Sequence, residues 1–312
     1  MKHYIGLFLR GMAMGAADVV PGVSGGTIAF ITGIYSTLLQ SLSRFGLSLI
    51  SVFKNDGLVA ASRHVNASFL LPLFAGITLS ILSLARVITY LLESEPLLVW
   101  SFFFGLILAS SLFVLRQITR WSPSVIVLLL VGVLLALIVA QLRPVEVVAG
   151  YGYLFMAGSI AICAMILPGI SGSFILLLLG VYAQVLEAVR ILDFSSIAAF
   201  GTGCIVGLLS FVKLLNWLLE HYYQRVLALL SGFIAGSLYM VWPWKEVVQM
   251  YTNSHGIEKP LVQVNVLPGQ FEQVAGQSAQ LVGCLSLMIS AVVIVLILEK
   301  LGGKEADNVA PE

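Results

Sequence analysis

Charge is what this chain has least of. Asp, Glu, Lys and Arg make up 10% of its 312 residues, against 59% hydrophobic residues and a mean hydropathy of +1.03. Soluble domains run near a quarter charged, so the polar surface is too small to cover a water-exposed globule. Cysteine is scarce as well. Cys163, Cys204 and Cys284 stand alone in apolar segments; that excludes a disulfide framework and cysteine metal spacing, and leaves three small hydrophobes to pack between helices. The histidines His3, His64, His221 and His255 are dispersed, and no two have ligand spacing. With no nucleotide loop and no hydrolytic triad, the sequence predicts no cofactor, no metal, no nucleic-acid partner and no enzymatic activity.

Long apolar runs are abundant. Segments 69–92, 97–115, 124–141, 198–219, 226–243 and 279–298 each approach the roughly 20 residues a helical membrane span needs. The chain also repeats itself. VPGVSGGTIAFITGIY at 20–35 returns as LPGISGSFILLLLGVY at 167–182, an offset of 147, pairing Pro21 with Pro168, Gly22 with Gly169, Ser24 with Ser171, Gly25 with Gly172 and Tyr35 with Tyr182. A second match at offset 127 pairs Gly76, Arg86, Glu93 and Gly105 with Gly203, Lys213, Glu220 and Gly232. The difference between offsets marks a polar insertion at 45–68 in the first half.

Each half opens on an apolar stretch, 5–43 or 151–190, interrupted by a P-G-x-S-G turn. Proline removes a donor and clashes with the preceding helical turn, and glycine admits tight backbone. The stretches before and after each turn are short for two full spans, which favours a re-entrant hairpin over a broken helix that crosses fully. The expected fold is an all-α polytopic membrane protein of two inverted-topology repeats, each a re-entrant hairpin plus three transmembrane helices. Residues 1–145 form the first, 146–300 the second, and 301–312 a polar cytoplasmic tail.

An odd number of crossings per half inverts the second half, and charge tests that. With both termini in the cytoplasm, ten basic residues fall inside: Lys2, Arg10, Arg44, Lys54, Arg63, Arg116, Arg120, Arg225, Lys300 and Lys304. Four fall outside, Arg143, Arg190, Lys245 and Lys259, and the acidic turn Glu93–Pro96 lies outside with them. This is the positive-inside bias. Segment 244–277 becomes an extracytoplasmic loop, with Trp242 and Trp244 at its interfacial start.

A turn inside hydrocarbon must have its backbone groups satisfied by protein, water or ligand. A helix restarting at Gly25 or Gly172, capped by Ser24 or Ser171, offers free N–H groups to an anion such as a phosphate. The plainer alternative is that the small residues serve close helix packing. Arg86 and Lys213 occupy matching places inside spans, seven residues before Glu93 and Glu220. An intramembrane cation costs about 3 kcal/mol, which suggests one cation for each of two gates, although both side chains are long enough to snorkel. Asp18 has no acidic counterpart, since Met165 takes its place. It is a candidate ion-coupling residue, for protons more than sodium, with a helix cap or a salt bridge to a cation as alternatives. Glu187 and Arg190 read as an i,i+3 interfacial pair.

The motif GAADVVPGVSGGT at 15–27, echoed by PGISGS at 168–173, closely resembles the family long called domain of unknown function 368, the polyprenyl-phosphate transporters of bacteria, over essentially the whole chain. The resemblance implies a flippase in the cytoplasmic (inner) membrane that returns undecaprenyl phosphate from the outer leaflet to the cytoplasmic one for envelope polymer synthesis. Its partners would be that lipid and membrane lipids. Asp18, Ser24, Gly25, Gly26 and Thr27 match the family's first motif, and Ser171 and Gly172 the second. Ser173 and Phe174 stand where the first turn has Gly26 and Thr27. Together with Arg86 and Lys213, Ser24, Gly25, Gly26, Thr27, Ser171, Gly172 and Ser173 are the expected substrate-binding set. A small-anion transporter and an undecaprenyl pyrophosphate phosphatase are the competing functions; the latter lacks a histidine in either motif.

Overall fold

The computed structural model describes residues 2–20, 23–142, 147, 149–252 and 258–306. Pro21, Gly22, Arg143, His255 and residues 307–312 of the tail lie outside the described residues. The chain begins with α1 (Lys2–Asp18), α2 (Gly25–Ile31) and α3 (Tyr35–Ser43), and repeats the series as α8 (Tyr151–Ile166), α9 (Gly172–Leu178) and α10 (Tyr182–Arg190). The short helices are separated by the same device in both halves, a glycine with φ of +72° at Gly33 and at Gly180. A side chain there would be strained, so the helix must stop. The second pair, α9 and α10, meets at 107°.

Long apolar helices make up most of the rest: α5 (Ala67–Ser94), α6 (Pro96–Arg116), α7 (Pro123–Gln141), α11 (Phe194–Ser237) and α13 (Leu281–Ala306). Proline at the first position starts α6 and α7, where its missing N–H costs nothing. The apolar run 198–219 and most of 226–243 lie in α11, which is broken at the non-helical Tyr222 (φ −133°, ψ 37°), so two helices meet there without an intervening loop. Helices α5, α6, α7 and α11 are long and apolar enough to cross a bilayer, and α8 and residues 281–297 of α13 are shorter apolar helices. Leu82, Leu130, Leu134, Val282 and Ile289 point outward, the surface a lipid solvent requires. The protein is an all-α, multi-pass membrane protein.

The two halves repeat their packing as well as their sequence. A Cβ placed on Gly11 of α1 would lie 2.1 Å from the carbonyl oxygen of Leu73 in α5, and one on Gly76 would lie 2.1 Å from that of Phe8. The equivalent glycines do the same in the second half: Gly158 meets Phe200 O at 2.5 Å and Gly203 meets Phe155 O at 2.0 Å. Small residues let these backbones touch, and in lipid such contact supplies much of the helix association. The halves also exchange partners. Gly105 sets α6 against Met288 of α13, while Gly132 and Gly232 set α7 against the later part of α11.

Two segments lie outside this pattern. The insertion becomes α4 (Leu47–His64), interrupted by Gly57 at φ +81°. Segment 244–277 folds into an antiparallel ribbon, β1 (Lys245–Thr252) and β2 (Glu258–Asn265), followed by α12 (Pro268–Ala275). The ribbon pairs Lys245 with Asn265 and Val247 with Gln263. Trp244 is buried beneath it with Leu97, Phe271 and Cys284, donating from Nε1 to Ala279 O at 2.9 Å. Lys245 donates to Met240 O at 2.5 Å and lies 4.9 Å from the Trp100 ring centroid. Burial pushes its pKa down to about 8.

Candidate functional site: two broken turns in contact

Helix α1 stops at Asp18 and α2 restarts at Gly25, and the side chains that flank the gap satisfy the restart. Asp18 Oδ1 accepts from the Gly25 N–H at 2.7 Å, and Ser24 Oγ, at the N-cap, accepts from the Gly26 N–H at 3.1 Å. Of the alternatives for Asp18, the structure displays the helix cap. Glycine is needed at 25 because a Cβ would come within 2.6 Å of that carboxylate.

The second turn is fastened to the first. Where α8 breaks off, its last carbonyls lack helical partners, and the first half supplies them. Ser24 Oγ donates to Met165 O at 3.3 Å, and Tyr35 OH donates to Ile166 O at 3.2 Å. Thr27 Oγ1 likewise satisfies the second turn's backbone, accepting from the Gly169 N–H at 3.0 Å. Ser24 and Thr27 are fully buried. The repeated turns meet at one place in the molecule, and side chains of the first half complete the backbone of the second turn.

The meeting is unequal. All seven residues of α2 are buried, whereas in α9 only Gly172 and Leu178 are. Where α2 has Asp18 and Ser24 on its first N–H groups, α9 has Met165 in place of the aspartate. Ser171 makes no cap bond there and instead shares a 2.9 Å hydrogen bond with Ser173. Ser173 is exposed. Tyr35 is buried, but its repeat partner Tyr182 is 38% exposed.

The expected cations stand apart from the turns. Arg86 is exposed on α5 and Lys213 is exposed on α11, and among the described residues neither pairs with a carboxylate. Lys213 Nζ lies beside Gly46, 3.2 Å from where a Cβ on that glycine would sit. Glu187 and Arg190 form the anticipated i,i+3 pair at 3.5 Å. Tyr35 carries a contact that the sequence marked only as a repeated letter. The recurrence of tyrosine at 35 and 182, two residues after the positive-φ glycines, was the available signal.

A model of the undecaprenyl phosphate translocase-like family matches residues 14–259, a span that holds both turns, Arg86 and Lys213. This chain belongs to that family. It is 49% identical over 302 residues to a polyprenyl-phosphate transporter of Vibrio cholerae serotype O1, covering 97% of this chain and 98% of the relative. It is 32% identical over 253 residues to a polyprenyl-phosphate transporter of Staphylococcus aureus, covering 75% of this chain and 85% of the relative. The family is one of transporters rather than enzymes. No solved structure matches the chain.

Proposed function

We propose that this protein is a polyprenyl-phosphate flippase that returns undecaprenyl phosphate from the outer to the cytoplasmic leaflet of the bacterial inner membrane. The observation that carries it is the junction of the two turns, Ser24 with Met165 and Thr27 with Gly169, deep among apolar helices, in a chain whose relatives are polyprenyl-phosphate transporters. A lipid phosphate has one part that the bilayer rejects and one that it dissolves. Its head needs a polar passage, and its tail need never leave hydrocarbon. Paired turns among lipid-facing helices suit that division.

In this reading each half is a re-entrant hairpin plus three spans, with opposite topologies and cytoplasmic termini. The matched glycine contacts of the two halves support the repeat, and the basic residues support the inversion. Ser171, Gly172 and Ser173, which lack the caps seen in the first turn, receive the phosphate. Ser24, Gly25, Gly26 and Thr27 hold the turns together and share the head group as the site changes sides. Arg86 and Lys213 attract it, one at each gate. Asp18 couples the cycle to protons: as a carboxylate it occupies the Gly25 N–H, and once protonated it releases that donor to the phosphate.

Binding tests the site. A polyprenyl phosphate titrated into detergent-solubilised protein should bind about tenfold more weakly to Ser171→Val/Ser173→Val than to the parent, given the strength of hydrogen bonds to a charged acceptor. Unchanged affinity would move the phosphate away from α9.

A further inference from the structure

The insertion that the second half lacks is built as a cleft. Its two half-helices fold back around Gly57, and their far ends are tied together. Ser48 Oγ lies 3.4 Å from His64 Nε2, and Arg44 donates from Nη1 to His64 O at 3.2 Å. Between them is a cavity of about 440 Å³ lined by Leu49, Ile50, Phe53, Leu58, Ala61 and Val65. Its wall is apolar except for Ser62, and Arg44, Ser48 and His64 adjoin the end that Leu49 and Val65 line. A second cation comes to the same place from another element, because Lys213 Nζ of α11 lies against Gly46, midway between Arg44 and Ser48. Among the described residues no carboxylate neutralises Arg44 or Lys213. The insertion's own acid, Asp56, is at the opposite end beside Gly57.

An apolar cleft with two unpaired cations at one end has the shape of an amphiphile with an anionic head. We propose that α4 and Lys213 form a second binding site for a lipid phosphate, with the head on Arg44 and Lys213 and part of the tail along the cleft. Free phosphate would leave the apolar wall unused. The volume lies within the range of about 300–1,000 Å³ for ligand pockets, enough for a stretch of a long tail whose remainder stays in the bilayer. The site is continuous with the transport core, since α3, which follows the first turn, runs directly into Arg44 and Gly46. The proposal rests on the flippase reading and adds to it a holding place at the first hairpin's end, where a head group leaves or reaches the turns. The second half has no insertion, so this site has no twin, and the two sides of the protein handle lipid differently.

A photoactivatable polyprenyl phosphate with its reactive group in the tail tests this on the full chain in lipid nanodiscs, with labelled peptides identified by mass spectrometry. Labelling is expected within 49–65. Excess polyprenyl phosphate should suppress it, and excess polyprenol or phosphatidylglycerol should not. Arg44→Gln and, separately, Leu58→Asn should each lower it about tenfold; Leu58 is an exposed cleft residue whose change leaves the Arg44 and Ser48 ties to His64 intact. Equal competition by polyprenol or phosphatidylglycerol, or labelling indifferent to both variants, would overturn the site by making α4 an ordinary bilayer contact. Labelling at 165–174 with none at 49–65 would overturn it while leaving the flippase reading in place. Labelling at 49–65 with none at the turns would support it, and labelling at neither would overturn it; both leave the flippase reading to the leaflet-exchange measurement, since the tail need never enter the turns.

Discussion

Asp18 Oδ1 and the Gly25 N–H are 2.7 Å apart, so the carboxylate nearest the turns occupies the restart of a helix that its repeat partner, Met165, leaves unoccupied in the other half. On the proposed reading, a carboxylate in this position is an internal substitute for an anionic ligand. Its ionisation and its grip on Gly25 change together.

Asp18→Asn keeps an acceptor for Gly25 and removes the titration. In vesicles with an imposed pH gradient, the variant should move lipid phosphate at a rate that no longer responds to the gradient, while thermal unfolding shifts little. A response equal to the parent's would assign proton coupling to the substrate phosphate, whose own second pKa lies near 6.

The Thr27–Gly169 bond joins the turns through a buried hydroxyl. Thr27→Val preserves shape and leaves the Gly169 donor unmet, which costs about 1–3 kcal/mol. Thr27→Ser keeps the acceptor. Thermal unfolding in detergent should show a clear loss for valine and a smaller one for serine. Equal losses would mean that packing, not the hydrogen bond, matters there.

Arg86→Ala and Lys213→Ala should each reduce transport at least several-fold, with the protein still folded and inserted in the membrane, because both side chains are exposed and, among the described residues, unpaired with a carboxylate. A vesicle transport rate matching the parent for both would make them snorkelling cations with no part in head-group capture.

Lys245 supplies a pH signature. Its pKa is lowered by burial to about 8 against an ordinary 10.5, so between those values the unfolded chain holds a proton that the folded one has released. Stability therefore rises with pH across that window, by about 3 kcal/mol, and the burial cost is present in full below it. Unfolding of the parent and of Lys245→Met, compared from pH 7 to 10.5, should show a rise in the parent that the variant lacks.

Much of the helical framework could be read directly, because span length, glycine spacing and the proline–glycine turns each have a strong local cause. The matched residues Gly76 and Gly203 announced contacts that the fold repeats. What escaped was set by tertiary partners. The aspartate's role as cap depends on Gly25 coming back to it across six residues, and the seal between turns depends on carbonyls of Met165 and Ile166, which carry no side-chain signal. That two helices meet at Tyr222 with no loop between them was hidden because a polar stretch around His221 resembles one. The ribbon in 244–277 was hidden because its strands pair only with each other and the Trp244 beside it is anchored by Leu97, Phe271 and Cys284, all distant in sequence. Arg86 and Lys213 were legible as costly cations, but their distance from the turns was not.

The most direct measurement is of leaflet exchange. Purified protein is reconstituted into vesicles with undecaprenyl phosphate, and the fraction accessible to a membrane-impermeant reagent outside is followed with time. The account predicts that the initially protected fraction becomes accessible much faster than in protein-free vesicles, and that Ser171→Val/Ser173→Val slows this exchange. Exchange no faster than in protein-free vesicles, from folded and inserted protein with a pH gradient imposed in either direction, would contradict it.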